Sequence, residues 1–250
     1  MGNWPSEESL CPIHGERQGP NKKSSDYKLD NSHININNRW PVAKEGIPFI
    51  LLSSGLTLLL ACLGLFYISI PIGVIALFII FFFRDPERRH APDGDKAVLT
   101  PADGTVLEVQ HLNGQDNPIG QSAVKVSIFM SIFNVHVNRI PIGGIIENIS
   151  YHPGKFFSAN LDKASKENEN NTITLKTENA ERIVCIQIAG LIARRIACWI
   201  KKGDRVKTGQ RFGLIRFGSR LEVYLPGNSS VAVEVRQKVK AGQTVIGYLP

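Results

Sequence analysis

The sequence predicts a β-rich fold, mainly β with minor α content, preceded by an N-terminal helical membrane hairpin. Two observations support this prediction. The stretch from Ile47 to Phe83 contains no charged residue, and short apolar runs separated by Gly, Pro, Asn and Asp turns follow it. In addition, one turn-and-strand pattern occurs twice near the C-terminus. The β-rich part is therefore expected to be a compact barrel or hammerhead-like sandwich with pseudo-repeated turn-strand units.

The first element is a polar tail at residues 1–45. It is rich in Asn, Ser, Lys, Pro and Gly and has almost no apolar periodicity. Such a composition cannot bury enough apolar surface to offset the entropy lost on ordering, so the tail is predicted to be disordered. It does not resemble a secretory signal peptide, because no apolar core directly follows the first methionine.

The second element, residues 46–83, is predicted to be a hydrophobic membrane hairpin. A helix at about Pro48–Phe66, a tight turn and a helix at Pro71–Phe83 fit its length, with Pro71 near the first position of the second helix. Positive residues flank both ends: Lys44 on one side and Arg84, Arg88 and Arg89 on the other. This predicts a protein of the cytoplasmic (inner) membrane whose remaining part faces the cytoplasm. The second helix is short, so two alternatives are also considered. The hairpin could embed in the bilayer without crossing it, or it could be a core hairpin of a soluble protein.

The third element, residues 84–250, is the predicted β-rich domain. Its expected strands are Val124–Phe133, Ile173–Lys176, Ile183–Ile188, Leu214–Phe217, Leu221–Tyr224, Val231–Val235 and Val245–Tyr248. A short helix is predicted at Asp162–Asn168. The segment Gly203–Gly213 is echoed by Lys238–Gly247, which suggests pseudo-symmetric halves.

Charge and motif content narrow the classes of function. The formal net charge of +7 suits an acidic partner such as anionic lipid or nucleic acid, although a mildly basic surface without such a partner is equally common. Basic residues are not interleaved with aromatic ones, so no nucleic-acid partner is predicted. No P-loop, dinucleotide fingerprint, paired-cysteine zinc pattern or zinc-protease helix occurs, and no metal site is predicted. An enzyme with this sequence must use side-chain nucleophiles or a cofactor made from its own chain.

The pair Gly218–Ser219 lies between two predicted strands and could supply such chemistry. A glycine leaves its carbonyl open to the following serine hydroxyl, and in a strained turn the hydroxyl can attack and convert the amide to an ester. Elimination and hydrolysis would then leave a pyruvoyl group, which forms a Schiff base with a substrate amine and accepts the electrons released on decarboxylation. Read alone, Gly-Ser is a common turn.

Two further places hold candidate catalytic and binding residues. His136, set among valines, can activate a hydroxyl or shuttle protons, or can be a core histidine satisfied by backbone. Asp103, in a Pro-Ala-Asp-Gly turn, can orient that histidine, or can simply mark a turn. The candidates for binding a substrate are Arg139, His152 and Lys155.

Taken together, these segments resemble the phosphatidylserine decarboxylase family in its short bacterial and archaeal form. The resemblance covers about Phe82 to Tyr248. The segments that carry it are Phe83–Arg88, Thr100–Val106, Ser127–Pro141, Tyr151–Phe156, Gln187–Ile196 and Gly209–Arg220. Each segment is modest alone, but in this order they are specific.

The resemblance implies a membrane enzyme that converts phosphatidylserine to phosphatidylethanolamine and carbon dioxide. By family likeness Asp103, His136 and Ser219 form a self-cleavage triad, and His136 also assists decarboxylation. Ser219 would become the pyruvoyl cofactor, with no metal and no pyridoxal phosphate. The precursor would yield a large subunit, 1–218, and a small one, 219–250, whose partners are phosphatidylserine and membrane lipid; a homodimer stays open.

Two departures and two alternatives accompany this resemblance. Where the family reads Asn-Glu-Arg-Asn, this chain has Asn168-Glu169-Asn170-Asn171, which puts a headgroup or subunit contact in doubt. The long tail is also unusual for the short form. The repeat resembles lipoyl and biotinyl carrier domains too, so a membrane-anchored adaptor without catalysis is an alternative, although it lacks a lysine at a hairpin tip and long heptad helices. A relative that acts on another amino-carboxylate lipid, or a copy that never matures, stays open as well.

Overall fold

The structure is a computed structural model that describes residues 41–88, 94, 96–114, 116–155, 157–158, 167–190, 195–216 and 218–250. The predicted polar tail lies outside these residues except for 41–45. The predicted short helix Asp162–Asn168 also lies outside them, except for its last two residues. The apolar hairpin and most of the β-rich part are described.

Two apolar helices form a hairpin at the start of the described chain. A short 3-10 helix at Lys44–Gly46 leads into α1 (Ile47–Cys62), and α2 (Phe66–Phe82) follows. Large apolar side chains are exposed on both helices outside the face where they pack on each other, and Leu52 and Leu77, for example, are 73% and 67% exposed. By length and composition alone, the helix from Lys44 to Cys62 could cross a membrane, whereas α2 is shorter.

The hairpin turns earlier than the sequence analysis predicts. The chain reverses between α1 and α2 at Leu63–Leu65, where Gly64 has a φ of +74°. The turn forms there because glycine adopts this left-handed conformation at no steric cost, which a proline cannot do. Pro71 consequently lies inside α2 and not near its first position. Across the hairpin, the Ser69 hydroxyl donates to the Thr57 carbonyl at 3.0 Å.

After the hairpin, the described residues form strands β1 to β14. Their bounds are β1 Ala97–Leu99, β2 Gly104–Leu112, β3 Ala123–Met130, β4 Val137–Arg139, β5 Gly144–His152, β6 Asn170–Lys176, β7 Arg182–Ala189, β8 Ile196–Cys198, β9 Arg205–Val206, β10 Arg211–Ile215, β11 Ser219–Pro226, β12 Ser230–Val231, β13 Lys238–Val239 and β14 Val245–Tyr248. Each predicted strand overlaps one of them. The predicted Val124–Phe133 strand ends at Met130, because Asn134 N–H donates to the Ser131 carbonyl at 2.9 Å and closes a turn.

The strands form one large and two small antiparallel sheets. The large sheet has the order β13-β2-β3-β11-β7-β6-β5-β9 and curls into a half-barrel. The two small sheets have the orders β1-β14-β12 and β4-β10-β8. This architecture confirms the predicted β-rich fold. Strand β11 lies in the middle of the large sheet, paired with β3 on one side and β7 on the other.

The sequence repeat is also a structural repeat. In each copy a short strand, a turn and a longer strand follow one another: β9 and β10 in the first, β13 and β14 in the second. The turns match, because Gly209 and Gly242 have φ values of +75° and +69°. Strands β9 and β13 occupy opposite edges of the large sheet, and β10 and β14 are the central strands of the two small sheets. The predicted pseudo-symmetric halves are therefore present.

A separate apolar cluster joins the hairpin to the β domain. Phe82 and Phe83, at the end of α2, are buried against Val135, Val137 and Leu214 of the β4-β10-β8 region. The entry to the hairpin is held at the same place, because Ala43 N–H donates to the Phe83 carbonyl at 2.8 Å. Burying two phenylalanine rings stabilises this junction by about 3–6 kcal/mol. The base of the hairpin is thus part of the β domain.

Candidate active site

Ser219 occupies the first position of the central strand β11. It pairs with Met130 on β3 and with Ala189 on β7, and its side chain is fully buried. Its hydroxyl donates to the Met130 sulfur at 3.4 Å. The serine is therefore enclosed on both sides by neighbouring strands and has a weak hydrogen-bond acceptor.

The residue before it, Gly218, adopts a left-handed backbone conformation. Its φ is +65°, and no atom outside its chain neighbours lies within 4 Å of the position that a Cβ would occupy. The requirement for glycine here comes from the backbone conformation, since there is space for a side chain. The Gly218–Ser219 peptide bond thus lies where the chain passes from β10, in a small sheet, to β11, in the large one. This fits the special turn that the sequence analysis predicts at this pair.

His136 is a fully buried histidine beside the hairpin. Its Nδ1 lies 3.0 Å from the Asn134 carbonyl, and its ring packs on Phe82 with the centroids 4.2 Å apart. A carbonyl only accepts hydrogen bonds, so Nδ1 carries the proton and Nε2 carries the lone pair. Nε2 is buried and has no hydrogen-bond partner among the described residues. Burial lowers the pKa of His136 to about 4, so the ring is a neutral base near pH 7.

Asp103 influences His136 electrostatically but does not form a hydrogen bond with it. Its carboxylate forms a two-pronged ion pair with Arg88 and accepts the Ala241 N–H at 2.7 Å. The negative charge of Asp103 raises the pKa of His136, against the larger effect of burial. The predicted orientation of His136 by Asp103 is therefore not seen in this structure. The backbone carbonyl of Asn134 holds the ring, because Arg88 occupies both carboxylate oxygens.

The charged segment after α2 connects the hairpin to this region. Arg84 donates to the Phe133 carbonyl at 2.7 Å, and Arg88 binds Asp103. The carboxylate of Asp85 is buried and pairs with Arg211 at 2.7 Å and with Arg139 at 3.5 Å. Sequence reasoning noted this segment but assigned its residues no role in the site.

The three candidate substrate-binding residues are distributed differently. The Arg139 guanidinium is buried and donates to the carbonyls of Gly209 and Pro86 at 3.0 and 2.9 Å, so its contacts are internal. His152 on β5 aligns across β6 and β7 with Arg220 on β11. Three inter-strand spacings separate the backbones of these two residues, a distance of about 14 Å. Lys155 is exposed and its ammonium lies 3.1 Å from the Glu167 carboxylate. None of these contacts brings the three groups to Ser219, and their role in binding stays a prediction.

Sequence reasoning missed a chain of buried polar side chains that leads to Ser219. Asn171 donates to Gln187 at 2.9 Å, and Gln187 donates to Asn138 at 2.8 Å. Asn138 then lies 3.7 Å from the same Met130 sulfur that accepts from Ser219. All five side chains are fully buried. Buried amides are costly unless they are paired, so polar residues inside otherwise apolar strands were the available signal.

A metal site is not found in the described part of the chain. No group of three or more His, Cys, Asp or Glu side chains there could hold a metal ion. The described candidates for chemistry are the buried Ser219 hydroxyl and the buried His136 imidazole.

These features define a class: a β-rich protein with an apolar hairpin, a buried histidine at the base of that hairpin and a buried serine at the start of a central strand. Comparison with known proteins identifies the family. The model of the phosphatidylserine decarboxylase family matches residues 75–247. The chain belongs to this family. The sequence prediction of the family is therefore confirmed.

Several curated relatives are similar over nearly their whole length. The phosphatidylserine decarboxylase proenzyme of Syntrophus aciditrophicus is 51% identical over 208 residues, which cover 82% of this chain and 96% of that protein. The proenzyme of Desulfotalea psychrophila is 45% identical over 84% of this chain and 97% of its own length. That of Geotalea uraniireducens is 44% identical over 86% and 99%.

Proposed function

We propose that this chain is a proenzyme that cuts itself between Gly218 and Ser219 and then decarboxylates phosphatidylserine to phosphatidylethanolamine at a membrane surface. The observation that carries the proposal is the placement of Ser219, a buried serine that starts a central strand directly after a left-handed glycine. Family membership supports the reaction, since the relatives are named phosphatidylserine decarboxylase proenzymes. No observation favours the alternative of an adaptor without catalysis.

The cut itself needs only groups of this chain and water. The Ser219 hydroxyl adds to the Gly218 carbonyl carbon, the C–N bond breaks, and the nitrogen takes up the hydroxyl proton, which leaves an ester. Removal of the Ser219 α-proton then breaks the C–O bond, so that Gly218 leaves as a carboxylate and residue 219 becomes dehydroalanine. After a shift to the imine, water adds and ammonia departs. The products are chains 1–218 and 219–250, the second with a pyruvoyl group at its start.

His136 is the proposed base for these proton transfers. Its Nε2 lone pair is available to accept a proton, and the lowered pKa keeps the ring neutral at pH 7 although it also makes the ring a weaker base. The Ser219 hydroxyl must first leave the Met130 sulfur, which a rotation about χ1 allows. We infer that Asp103 acts on His136 through its charge, because that charge raises the His136 pKa while no hydrogen bond between the two side chains is seen.

The residues around Ser219 fit a pyruvoyl group. A keto carbonyl and a methyl group are together smaller and less polar than the serine that they replace, and the position is enclosed by Met130 and Ala189. A pyruvoyl group supplies a carbonyl that condenses with a substrate amine and accepts the electron pair left when carbon dioxide departs. His136 can hold or return a proton at this position, and the fully buried surroundings exclude competing water.

The hairpin supports a lipid substrate. It exposes many large apolar side chains, and its base contacts the His136 ring through Phe82. Arginines cluster at the same end, where they would attract an anionic headgroup with about 1 kcal/mol for each charge. We infer a location in the cytoplasmic (inner) membrane with the β domain in the cytoplasm, because Lys44 and Arg84 flank the two ends of the hairpin.

The test is decarboxylation of phosphatidylserine in vesicles by the purified full chain. We expect release of carbon dioxide and appearance of phosphatidylethanolamine with the unchanged chain, and neither with Ser219→Ala, which lacks the hydroxyl. Sedimentation of the same samples would distinguish a homodimer from a single copy. Absence of product from a chain that has cut itself would contradict the proposed substrate but not the proposed cut.

A further inference from the structure

The turn between β3 and β4 presents an aromatic ring beside the hairpin. Asn134 closes this turn, because its Oδ1 accepts from both the N–H and the hydroxyl of Ser131 at 2.8 Å. Phe133, at the tip, is 64% exposed. A phenylalanine ring left in water forgoes about 1.5–3 kcal/mol of burial, so a well-ordered turn that displays one suggests a cover.

The position of this ring indicates what covers it. Phe133 packs edge-to-face on Phe78 of α2 with the ring centroids 6.5 Å apart. Phe78 belongs to a helix whose neighbouring side chains Val74, Leu77 and Phe81 are themselves exposed. The Phe133 ring therefore extends the apolar surface of the hairpin. The same medium, water or lipid, surrounds both α2 and this ring.

A cation marks the boundary of that apolar surface. Arg84 donates to the Phe133 carbonyl at 2.7 Å and lies over the Phe81 ring at 3.8 Å. An arginine directly behind apolar rings is the arrangement that suits the phosphate level of a bilayer, with the rings in the acyl region. The same pattern would not favour a protein partner of mixed polarity.

We propose that the Ser131–Asn134 turn is a second membrane-contacting element, in which Phe133 enters the bilayer beside α2 while Arg84 stays at the headgroups. The proposal rests on the membrane location given under the proposed function. Its consequence concerns the site, because the Asn134 carbonyl in this turn holds His136 Nδ1. The membrane depth of Phe133 thereby sets the height of the catalytic base above the acyl chains, where a lipid headgroup arrives.

Tryptophan fluorescence tests the depth of the turn directly. The full chain with Phe133→Trp is reconstituted in phosphatidylcholine–phosphatidylserine vesicles whose acyl chains carry bromine, a quencher at short range. The matched control is Ile145→Trp, because Ile145 is also exposed, at 44%. Across the sheet Ile145 aligns with Lys176 and Arg182, at the opposite end of β7 from Ala189, which pairs with Ser219. The emission of the unchanged chain is subtracted from that of each variant. We expect bromine to quench the remaining emission of Phe133→Trp and to leave that of Ile145→Trp unquenched.

Kinetics on two substrate forms gives a second readout. We expect Phe133→Ser to raise the apparent KM for vesicle phosphatidylserine roughly ten- to hundredfold, as loss of a buried ring does, and to leave turnover of a soluble short-chain phosphatidylserine unchanged. Ile145→Ser should change neither.

Three outcomes would overturn the inference. If bromine does not quench the emission of the tryptophan at position 133, the ring does not lie in the bilayer. If Phe133→Ser also loses oligomers, the ring contacts a second copy of this chain instead. Equal losses on both substrate forms would assign the ring to the support of His136 alone. Failure of the unchanged chain to act on any phosphatidylserine would instead count against the proposed function.

Discussion

The imidazole of His136 illustrates how burial prepares a residue for chemistry. The ring contacts Phe82, donates from Nδ1 to the Asn134 carbonyl, and leaves Nε2 buried and unpaired among the described residues. Leaving a buried acceptor unpaired costs about 1–3 kcal/mol, and such a cost usually persists where it serves function. The proton transfers proposed for self-cleavage would be such a use.

This environment predicts how self-cleavage depends on pH. The folded-state pKa of His136 is lowered to about 4 from 6.5, so the base form persists as the pH falls and is lost only near pH 4. We expect the cutting rate to stay constant between pH 8 and pH 5.5. A histidine of ordinary pKa would be about nine-tenths protonated at pH 5.5 and would cut about tenfold more slowly there.

The measurement is the fraction of uncut chain over time on denaturing gels at each pH. Circular dichroism at the same pH values controls for unfolding, and His136→Gln controls for cutting without the base. A half-maximal rate near pH 6.5 would show that the ring is not buried when it acts.

At the scale of the element, strand β11 must stay in the sheet after self-cleavage, because the proposed cut falls at its first residue. Arg220, the next residue, is 2% exposed and lies 3.0 Å from the carboxylate of Glu222 and from the Ser127 hydroxyl on β3. The contact with Ser127 joins the start of β11 to β3 and helps to hold it in the sheet after the covalent link is lost, whereas Glu222 lies on β11 itself and neutralises the buried cation. Pairing with β3 and β7 along its length does the same for the rest of β11.

The burial of this arginine predicts a large effect on stability. Arg220→Met leaves Glu222 without its cation in a buried position, and we expect it to lower the free energy of unfolding by about 3–5 kcal/mol. The matched control is Arg182→Met, which breaks the exposed pair with Glu147 and should cost less than about 1 kcal/mol. Guanidinium unfolding in mild detergent, in a Ser219→Ala background that stays uncut, measures both. Equal losses in the two variants would contradict the anchoring of β11 by Arg220.

Sequence reasoning located the elements better than the contacts between them. Alternating and apolar runs between turn residues predicted the strands, because strand formation depends largely on local pattern. The sequence predicts the hairpin turn between Phe66 and Pro71, with Pro71 near the start of the second helix, whereas the turn forms at Gly64. Either residue can interrupt a helix, and only the backbone conformation distinguishes them.

The site was predictable only in part. Local motifs drew attention to Ser219 and His136, but the pairing of Asp103 with Arg88 depends on where the end of the hairpin returns to the β domain. Likewise, the link from Gln187 to Asn138 joins residues of two different sheets. Such contacts are non-local, so neither spacing nor composition in one sequence specifies them.

At the scale of the whole molecule, the hairpin has two separable parts. Its base packs in the β domain through Phe82 and Phe83, and Glu45 accepts from the Trp199 indole at 2.7 Å. Its outer part has exposed apolar side chains and touches the β domain at Phe133, on which Phe78 packs edge-to-face. The base is therefore the part that contacts the His136 ring, and the outer part is the one that would enter a membrane under the proposed function.

Replacing residues 50–78 with a short Gly-Ser linker tests this division. We expect the variant to cut itself at nearly the normal rate, because the base is kept, but to lose vesicle binding and at least tenfold of its activity on vesicle phosphatidylserine. Phe82→Ala in the full chain should do the reverse, because it keeps the outer part and removes the ring under His136. Co-sedimentation with vesicles and gels of the cut products report the two effects. Loss of cutting in the linker variant would contradict the division.

The central claim is that the chain cuts itself at Ser219 and converts that residue to a pyruvoyl group. Intact mass spectrometry of the denatured protein, beside Ser219→Ala, tests it most directly. We predict two chains, one ending at Gly218 and one beginning at residue 219 that is lighter by one ammonia than a peptide with an N-terminal serine, while Ser219→Ala stays whole. A single full-length mass in both samples, or a cut chain that begins with an intact serine, would contradict the account.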